Sequence, residues 1–545
     1  MPATVSPRVA APSPHALLVR SPLLRSPRTI LRLGVLLLSL GLVCRAVRYL
    51  LQFPFWGDEA YVLINFLDRD YLGLTKTLDG CQVAPILFLW GEATVYRALG
   101  GAEWAMRLLP FLASVGGLLL FWRLARLTLP PRAAAFAVGL MAVARWPVTM
   151  GAVVKPYSFD LLFALALLVP AVHWLIRPER MRWLALLVAV VPAALAGSYP
   201  AVFVAGAVSL ALLPAVWRNR SAGVVSLYLG YNALMLATFL GCFLLIGREQ
   251  LDPATGSVYR SMLEYWADGF PPSRPWPLLR WFLAINIGRL MAYPVGDSNG
   301  GSALTALLFL VGVWRFWKDG RHAVLVLCLT PFALNLLAAF LHRYPYGGCC
   351  RLSQHLAPAV CLLAGYGAAA TVERFARTPV GRARATFGVC GLLALCGAAQ
   401  PFIDVARPYR EEEALWCHKV ADEVTGLGAP KDRVVVVTEP SGDWGLLRWQ
   451  LLRRGGAVSW NGGVDWDRLS AEGGRLWLVS PHMGARPQED PTPPGLGEGW
   501  VRVEQARFTL RYPKPEDPTR WCTLSCWQRA DGASTSPPPI ISSWP

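Results

Sequence analysis

The stretch Ala84–Leu99, APILFLWGEATVYRAL, decides how the chain is threaded. It is apolar, but it has only about half to three quarters of the roughly 20 apolar residues a bilayer-spanning helix needs, and it carries Glu92. If it crosses, every later loop changes side. Around it lie about eleven longer apolar segments, near 31–51, 107–127, 133–150, 158–176, 183–198, 201–217, 223–246, 303–317, 322–341, 355–372 and 385–400. With Ala84–Leu99 left out of the count, alternate loops hold Arg25/Arg28/Arg32, Arg123/Arg126/Arg132, Arg177/Arg180/Arg182, Arg218/Arg220, Lys318/Arg321 and Arg374/Arg377/Arg382/Arg384. The opposite loops hold the acids Asp58, Glu59, Asp68, Asp70, Asp79, Glu92 and Glu103. Basic loops stay on the cytoplasmic side, so one orientation satisfies the whole chain. Ala84–Leu99 is then a juxtamembrane or re-entrant helix on the outer side. A second amphipathic helix starts at Glu59, with Val62, Leu63, Phe66 and Leu67 on one face.

Composition agrees with this reading. The 545 residues are 54% hydrophobic and 16% charged, with mean hydropathy +0.39. That is a polytopic membrane protein with room for a soluble appendage. The net charge of +17 belongs to the membrane topology rather than to nucleic-acid binding. Twelve cysteines without a CxxC spacing give neither a zinc site nor a dense disulfide scaffold. Cys522 with Cys526, or Cys81 with Cys349 or Cys350, form disulfides or stay free.

The expected fold is an all-α membrane domain with a small C-terminal α/β domain. Residues 1–30 read as a disordered cytoplasmic tail, and 31–400 as the membrane domain with outer loops 52–104 and 247–302. Residues 401–533 read as a soluble outer α/β domain, with strands at Val434–Thr438, Leu476–Val479 and Phe508–Tyr512 and a helix at Trp444–Leu452. Residues 534–545 read as a loose tail. Ser198-Tyr199-Pro200 makes a tight outer hairpin or a proline kink in one long helix. The loop 247–302 is rich in aromatics, which suits the membrane boundary; it is a lid or a plain interfacial loop.

Two groups of residues carry chemistry. Asp58-Glu59 follow Trp56-Gly57 just after the first span. A half-buried carboxylate near a bilayer holds its proton more tightly, which suits a general base. Asp58 as a helix N-cap, with Glu59 in the first turn, explains the same pattern without chemistry. Glu59 faces elsewhere from Asp58, since adjacent helical residues do not share a face. It can hold a divalent metal or a second hydroxyl. No other cofactor is indicated. The second group is basic and lies on the side that is otherwise poor in cations. It comprises Lys155-Pro156-Tyr157 and the run from His342 through Arg343, Tyr344, Pro345, Tyr346, Gly347 and Gly348 to Arg351. Such cations hold a phosphate at the membrane surface or snorkel to lipid headgroups.

Several of these stretches resemble the GT-C superfamily of membrane glycosyltransferases, in the branch of the protein O-mannosyltransferases and the lipid A aminoarabinose transferase. They are Trp56-Gly57-Asp58-Glu59, Gln82-Val83-Ala84-Pro85, the run Gly100 to Leu108, and Arg343 to Gly348 followed by Arg351-Leu352. The resemblance implies inverting transfer of a sugar from a polyprenyl-phosphate donor to a hydroxyl of a glycan, lipid or protein, on the outer face of the cell (inner) membrane. It assigns Asp58 as the catalytic acid of the motif and Glu59 as its second acid. Gln82 stands where relatives carry a cation and positions the acceptor or its loop. Lys155, Tyr157, Arg343, Tyr346 and Arg351 remain to bind the phosphate. A transporter or flippase of a lipid-linked or anionic solute is the alternative. It lacks the internal repeat expected of such folds.

Overall fold

The computed structural model describes residues 27–252, 254–296, 301–406, 411–427, 433–436, 445–454, 458–460, 475–483, 500–510, 520–529 and 540–541. Every expected apolar segment contains a helix. These are α1 (Pro27–Leu50), α4 (Leu108–Thr128), α5 (Pro131–Ala142), α6 (Tyr157–Ile176), α7 (Met181–Gly197), α8 (Ala201–Asn219), α9 (Ala222–Cys242), α11 (Gly301–Lys318), α12 (His322–Phe340), α13 (Ala357–Phe375) and α14 (Pro379–Ala406). Between them lie the short α2 (Gly57–Leu63), α3 (Ile86–Leu99) and α10 (Ser257–Tyr265). Among the described residues eight helices are long and apolar enough to cross a membrane, or nine counting a bent pair. The chain is therefore a multi-pass membrane protein. The count falls short of eleven because α7 has only 17 residues and α11 does not meet the same test.

The bent pair is instructive. The expected span at 133–150 is α5 followed by the helix Arg145–Thr149, turned by 53°. Helix α5 ends at Ala142, so its last carbonyls lose their i+4 partners, and Pro147 has no N–H for Val143 O. Arg45 of α1, 1% exposed, supplies them: Nη1 donates to Ala142 O at 2.9 Å and Nη2 to Met141 O at 3.5 Å. Its Nε donates to Ser114 Oγ at 2.9 Å, and Ser114 donates to Pro147 O at 3.1 Å. Gln400 of α14 donates to Val143 O. A buried cation thus stabilises a break that steers the following residues, Val153–Lys155, to the end of the bundle where α1 finishes.

Small residues close the other side of the bundle. A Cβ on Gly367 of α13 would lie 1.8 Å from Leu308 O, and one on Gly365 2.5 Å from Ala137 N. Helices in lipid gain little from burying apolar surface, so such close backbone approach holds them together. The hairpin reading of Ser198–Pro200 holds: α7 stops at Gly197 and α8 starts at Ala201, with Tyr199 Oη 2.9 Å from both Ala84 O and Gln250 Oε1.

Helix α3 spans 14 residues and buries Ile86, Phe88, Leu89, Glu92 and Ala93. Both Glu92 oxygens are buried without a hydrogen-bond partner. Burial pushes this carboxyl well above the usual range, and the charge of Glu59 adds to the effect. A carboxyl with a raised folded-state pKa stabilises the fold below its unfolded pKa. That contribution is lost as pH rises toward the folded value. Glu92→Gln is therefore expected to keep or raise thermal stability at neutral pH and to flatten its decline from acid to neutral pH. A melting series across pH checks this.

After α14 the chain forms α15 (Glu411–Leu427), β1 (Arg433–Val436), α16 (Gly445–Arg453), β2 (Val458–Trp460), β3 (Leu476–Met483), β4 (Trp500–Leu510), β5 (Arg520–Arg529) and β6 (Ile540–Ile541). The sheet order is β2-β1-β3-β5-β4-β6, with β1 parallel to β2 and β3, and β5 antiparallel to β3 and β4. The sequence reading lacked α15, β2, β5 and β6. Strand β6 pairs with β4 inside the stretch expected to be loose, and residues 27–30 belong to α1 rather than to the tail. Residues 1–26, 437–438, 511–512, 534–539 and 542–545 lie outside the described residues. No disulfide joins any of the cysteines, so none of the three candidate pairs is bonded.

Candidate active site

Asp58 lies in the first turn of α2, and its N-cap is Trp56. The cap function expected of Asp58 is filled by Glu59, whose Oε2 accepts the Trp56 backbone N–H at 3.3 Å. Asp58 is thereby left to its cations. Lys155 Nζ lies 3.1 Å from Asp58 Oδ1, and Arg351 Nη1 lies 3.3 Å from Oδ2. The carboxylate is 24% exposed, against 7% and 10% for its two partners. Residues 293 positions apart in sequence thus share one anion-sized space.

Each cation has its own support. Lys155 also donates to Gln82 Oε1 at 2.5 Å, and Gln82 Nε2 donates to Gly80 O at 2.9 Å. Burial pushes the Lys155 ammonium below its ordinary range, and Asp58 opposes that effect. Arg351 sits on a 3₁₀ turn, Cys350–Leu356, leading into α13. Its guanidinium carbon lies 5.6 Å from the Trp56 ring, 5.9 Å from Tyr157 and 5.0 Å from Trp266. Its Nη2 donates to Tyr265 Oη at 3.3 Å. The rings offer their negative faces to a cation that is largely out of water. Trp56, Tyr265 and Trp266 were not singled out as site residues from the sequence. The only signal for the last two was the aromatic richness of 247–302, whose helix α10 ends at Tyr265.

Glu59 is placed differently from the expectation of a second acid or metal ligand. It is 0% exposed and paired with Arg107: Nη2 to Oε2 at 2.7 Å and Nε to Oε1 at 3.1 Å. Oε1 also accepts the Val154 N–H at 2.8 Å. Both oxygens are therefore taken. Among the described residues no group of three His, Cys, Asp or Glu could hold a metal ion. The Val154 bond ties the Asp58 helix to the residue before Lys155.

Two further expected ligands are not brought to Asp58. Arg343 is exposed, and its backbone N–H donates to Ala338 O at 2.9 Å. Tyr346 is buried in a separate cluster with Ile285, Leu290 and Leu356, where its Oη donates to Asn286 Oδ1 at 2.8 Å. Its N–H donates to Gly269 O at 2.8 Å, so it anchors the 247–302 loop.

This arrangement joins a carboxylate, two cations and an aromatic surround at one end of an apolar bundle. A family model described as dolichyl-phosphate-mannose-protein mannosyltransferase matches residues 83–243, the stretch that holds Lys155 and Tyr157. Crystal structures of ArnT from Cupriavidus metallidurans share the fold. The form bound to undecaprenyl phosphate has a TM-score of 0.52 at 15% identity, covering 90% of this chain and 97% of that one. The likeness is one of fold. The apo form of ArnT gives the same TM-score at 14% identity, covering 92% and 99%. An apo oligosaccharyltransferase from Archaeoglobus fulgidus reaches a TM-score of 0.43 at 11% identity, covering 77% and 64%. No curated protein matches in sequence. Asp58 stands outside the matched stretch 83–243, so its assignment rests on the site geometry.

Proposed function

We propose that the chain transfers a sugar from a polyprenyl-phosphate-linked donor to an acceptor hydroxyl, with inversion, on the outer face of the cell membrane. The observation that carries this reading is the bracketing of Asp58 by Lys155 and Arg351. Asp58 takes the proton of the acceptor hydroxyl as its oxygen bonds to the anomeric carbon. The bond from that carbon to the phosphate oxygen breaks, and the polyprenyl phosphate leaves with the electron pair. Attack opposite the leaving group inverts the anomeric centre. Lys155 and Arg351 offset the charge that grows on the departing phosphate. Gln82 and Tyr157 hold the two cations in place, and Arg343 and Tyr346 serve the loops that flank the site. The ArnT form bound to undecaprenyl phosphate supports the donor class. The arginine-rich loops at the far end of the bundle support a cytoplasmic N-terminus and an extracytoplasmic C-terminal domain.

Membranes supplied with labelled lipid-linked sugar test the assignment. Lys155→Met and Arg351→Met each remove one charge-assisted contact, so the donor KM is expected to rise about 10- to 100-fold. Lys155 titrates below the ordinary lysine range, so donor KM also rises as pH climbs through that lowered value. Lys155→Arg moves that basic limb upward. An unchanged donor KM in both methionine variants sinks the phosphate assignment.

A further inference from the structure

The C-terminal domain touches the Asp58 segment directly. Trp449 of α16 is 0% exposed. Its ring meets Phe55 edge-on at 6.1 Å and Tyr96 at 6.2 Å. Against Gly101 it fits so closely that a Cβ there would sit 3.0 Å from the indole. Phe55 in turn carries the Arg107 guanidinium carbon 5.0 Å from its ring, and Arg107 holds Glu59. A second line runs through Tyr61, one turn beyond Asp58. Its ring lies between two glycines: a Cβ on Gly445 would stand 2.6 Å from Tyr61 Cε1, and one on Gly80 2.3 Å from Cδ1. Ion pairs fix α16 at its middle and at its C-terminal end, Arg448 with Asp79 at 3.3 Å and Arg453 with Glu103 at 3.3 Å. Phe55, Ala60, Val62 and Leu63 share one buried cluster with Leu446, Leu447 and Trp449. By contrast, Lys155 and Arg351 pair with groups outside the C-terminal domain.

We propose that α16 is the back wall of the active site, with Trp449 and Gly445 as positioning residues that set the place of Asp58 from behind. This rests on the assignment of Asp58 as the base. The domain is then part of the catalytic apparatus and not an appended binding module. A shift of the reacting group by about 1 Å can cost on the order of 100-fold in rate. Neither cation touches α16 itself, so the wall acts on turnover far more than on donor binding.

The test uses the full chain in lipid nanodiscs, with labelled lipid-linked sugar for transfer and undecaprenyl phosphate as the binding probe. Trp449→Ala is expected to lower kcat about 10- to 100-fold, leave donor KM and undecaprenyl phosphate binding within about twofold, and be largely rescued in Trp449→Phe. Gly445→Ala drives a methyl into Tyr61 and lowers kcat, and the added Tyr61→Ala relieves the clash and restores part of it. Wild-type kcat in both single variants overturns the proposal. So does a loss of probe binding equal to the loss of kcat, or a Gly445→Ala defect that Tyr61→Ala leaves untouched. Asp58→Asn is run beside them: transfer that survives it overturns the base assignment itself, whatever the α16 variants do.

Discussion

Asp58→Asn is expected to lower kcat about 10²- to 10⁴-fold, the range over which a positioned general base contributes. The α2 cap is untouched, because it is made by Glu59 and the Trp56 backbone, so the variant keeps its fold but loses some stability as two largely buried cations give up their counter-ion. Donor binding is the discriminating readout. Lys155 and Arg351 now spend their charge on the Asp58 carboxylate at 3.1 and 3.3 Å. An amide releases both cations without emptying the space, so undecaprenyl phosphate should bind the variant at least as tightly as it binds the wild type. Loss of kcat with retained binding is the signature of a base. Loss of both together, in a protein that still melts cooperatively, would make Asp58 a structural counter-ion and remove the mechanism.

Helix order was legible because lipid imposes it. Long apolar runs and sided arginines leave one consistent threading, and Ala84–Leu99 became α3 for the reason of length that set it apart. Lys155, Tyr157 and Arg351 were legible as cations and an aromatic on the unexpected side. The structure added distance, which no local pattern holds: Arg343 and Arg351 lie on one loop, yet Arg351 reaches Asp58 and Arg343 faces out. The aromatic surround was hidden because Trp266 stands in a long loop whose path depends on tertiary packing. Of the three missed strands, the shortest was hidden for a related reason. Ile540–Ile541 is a two-residue strand whose place comes from β4, and two residues carry no period of their own.

Glu59, expected from the sequence as a second acid or metal ligand, sits in a buried ion pair with Arg107. Its pair with Arg107 is buried, at 0% and 4% side-chain exposure, and each partner satisfies the other. Removing one partner of such a pair leaves an uncompensated buried charge and typically costs about 3–5 kcal/mol. Glu59→Ala is therefore expected to destabilise the protein by that order, read as a lowered melting temperature in detergent. The loss comes from Arg107, whose remaining acceptors are the carbonyls of Phe53 and Pro54. Arg107→Met should be comparably damaging. The double variant Glu59→Gln/Arg107→Met separates structure from chemistry. It carries no buried charge, and the amide oxygen introduced at position 59 can still accept the Val154 N–H that ties α2 to the Lys155 loop. It should regain part of the stability and, with the tether kept, part of the transfer activity. If Glu59 instead handled a proton or a metal, an amide could do neither, and the double variant would be stable and inactive.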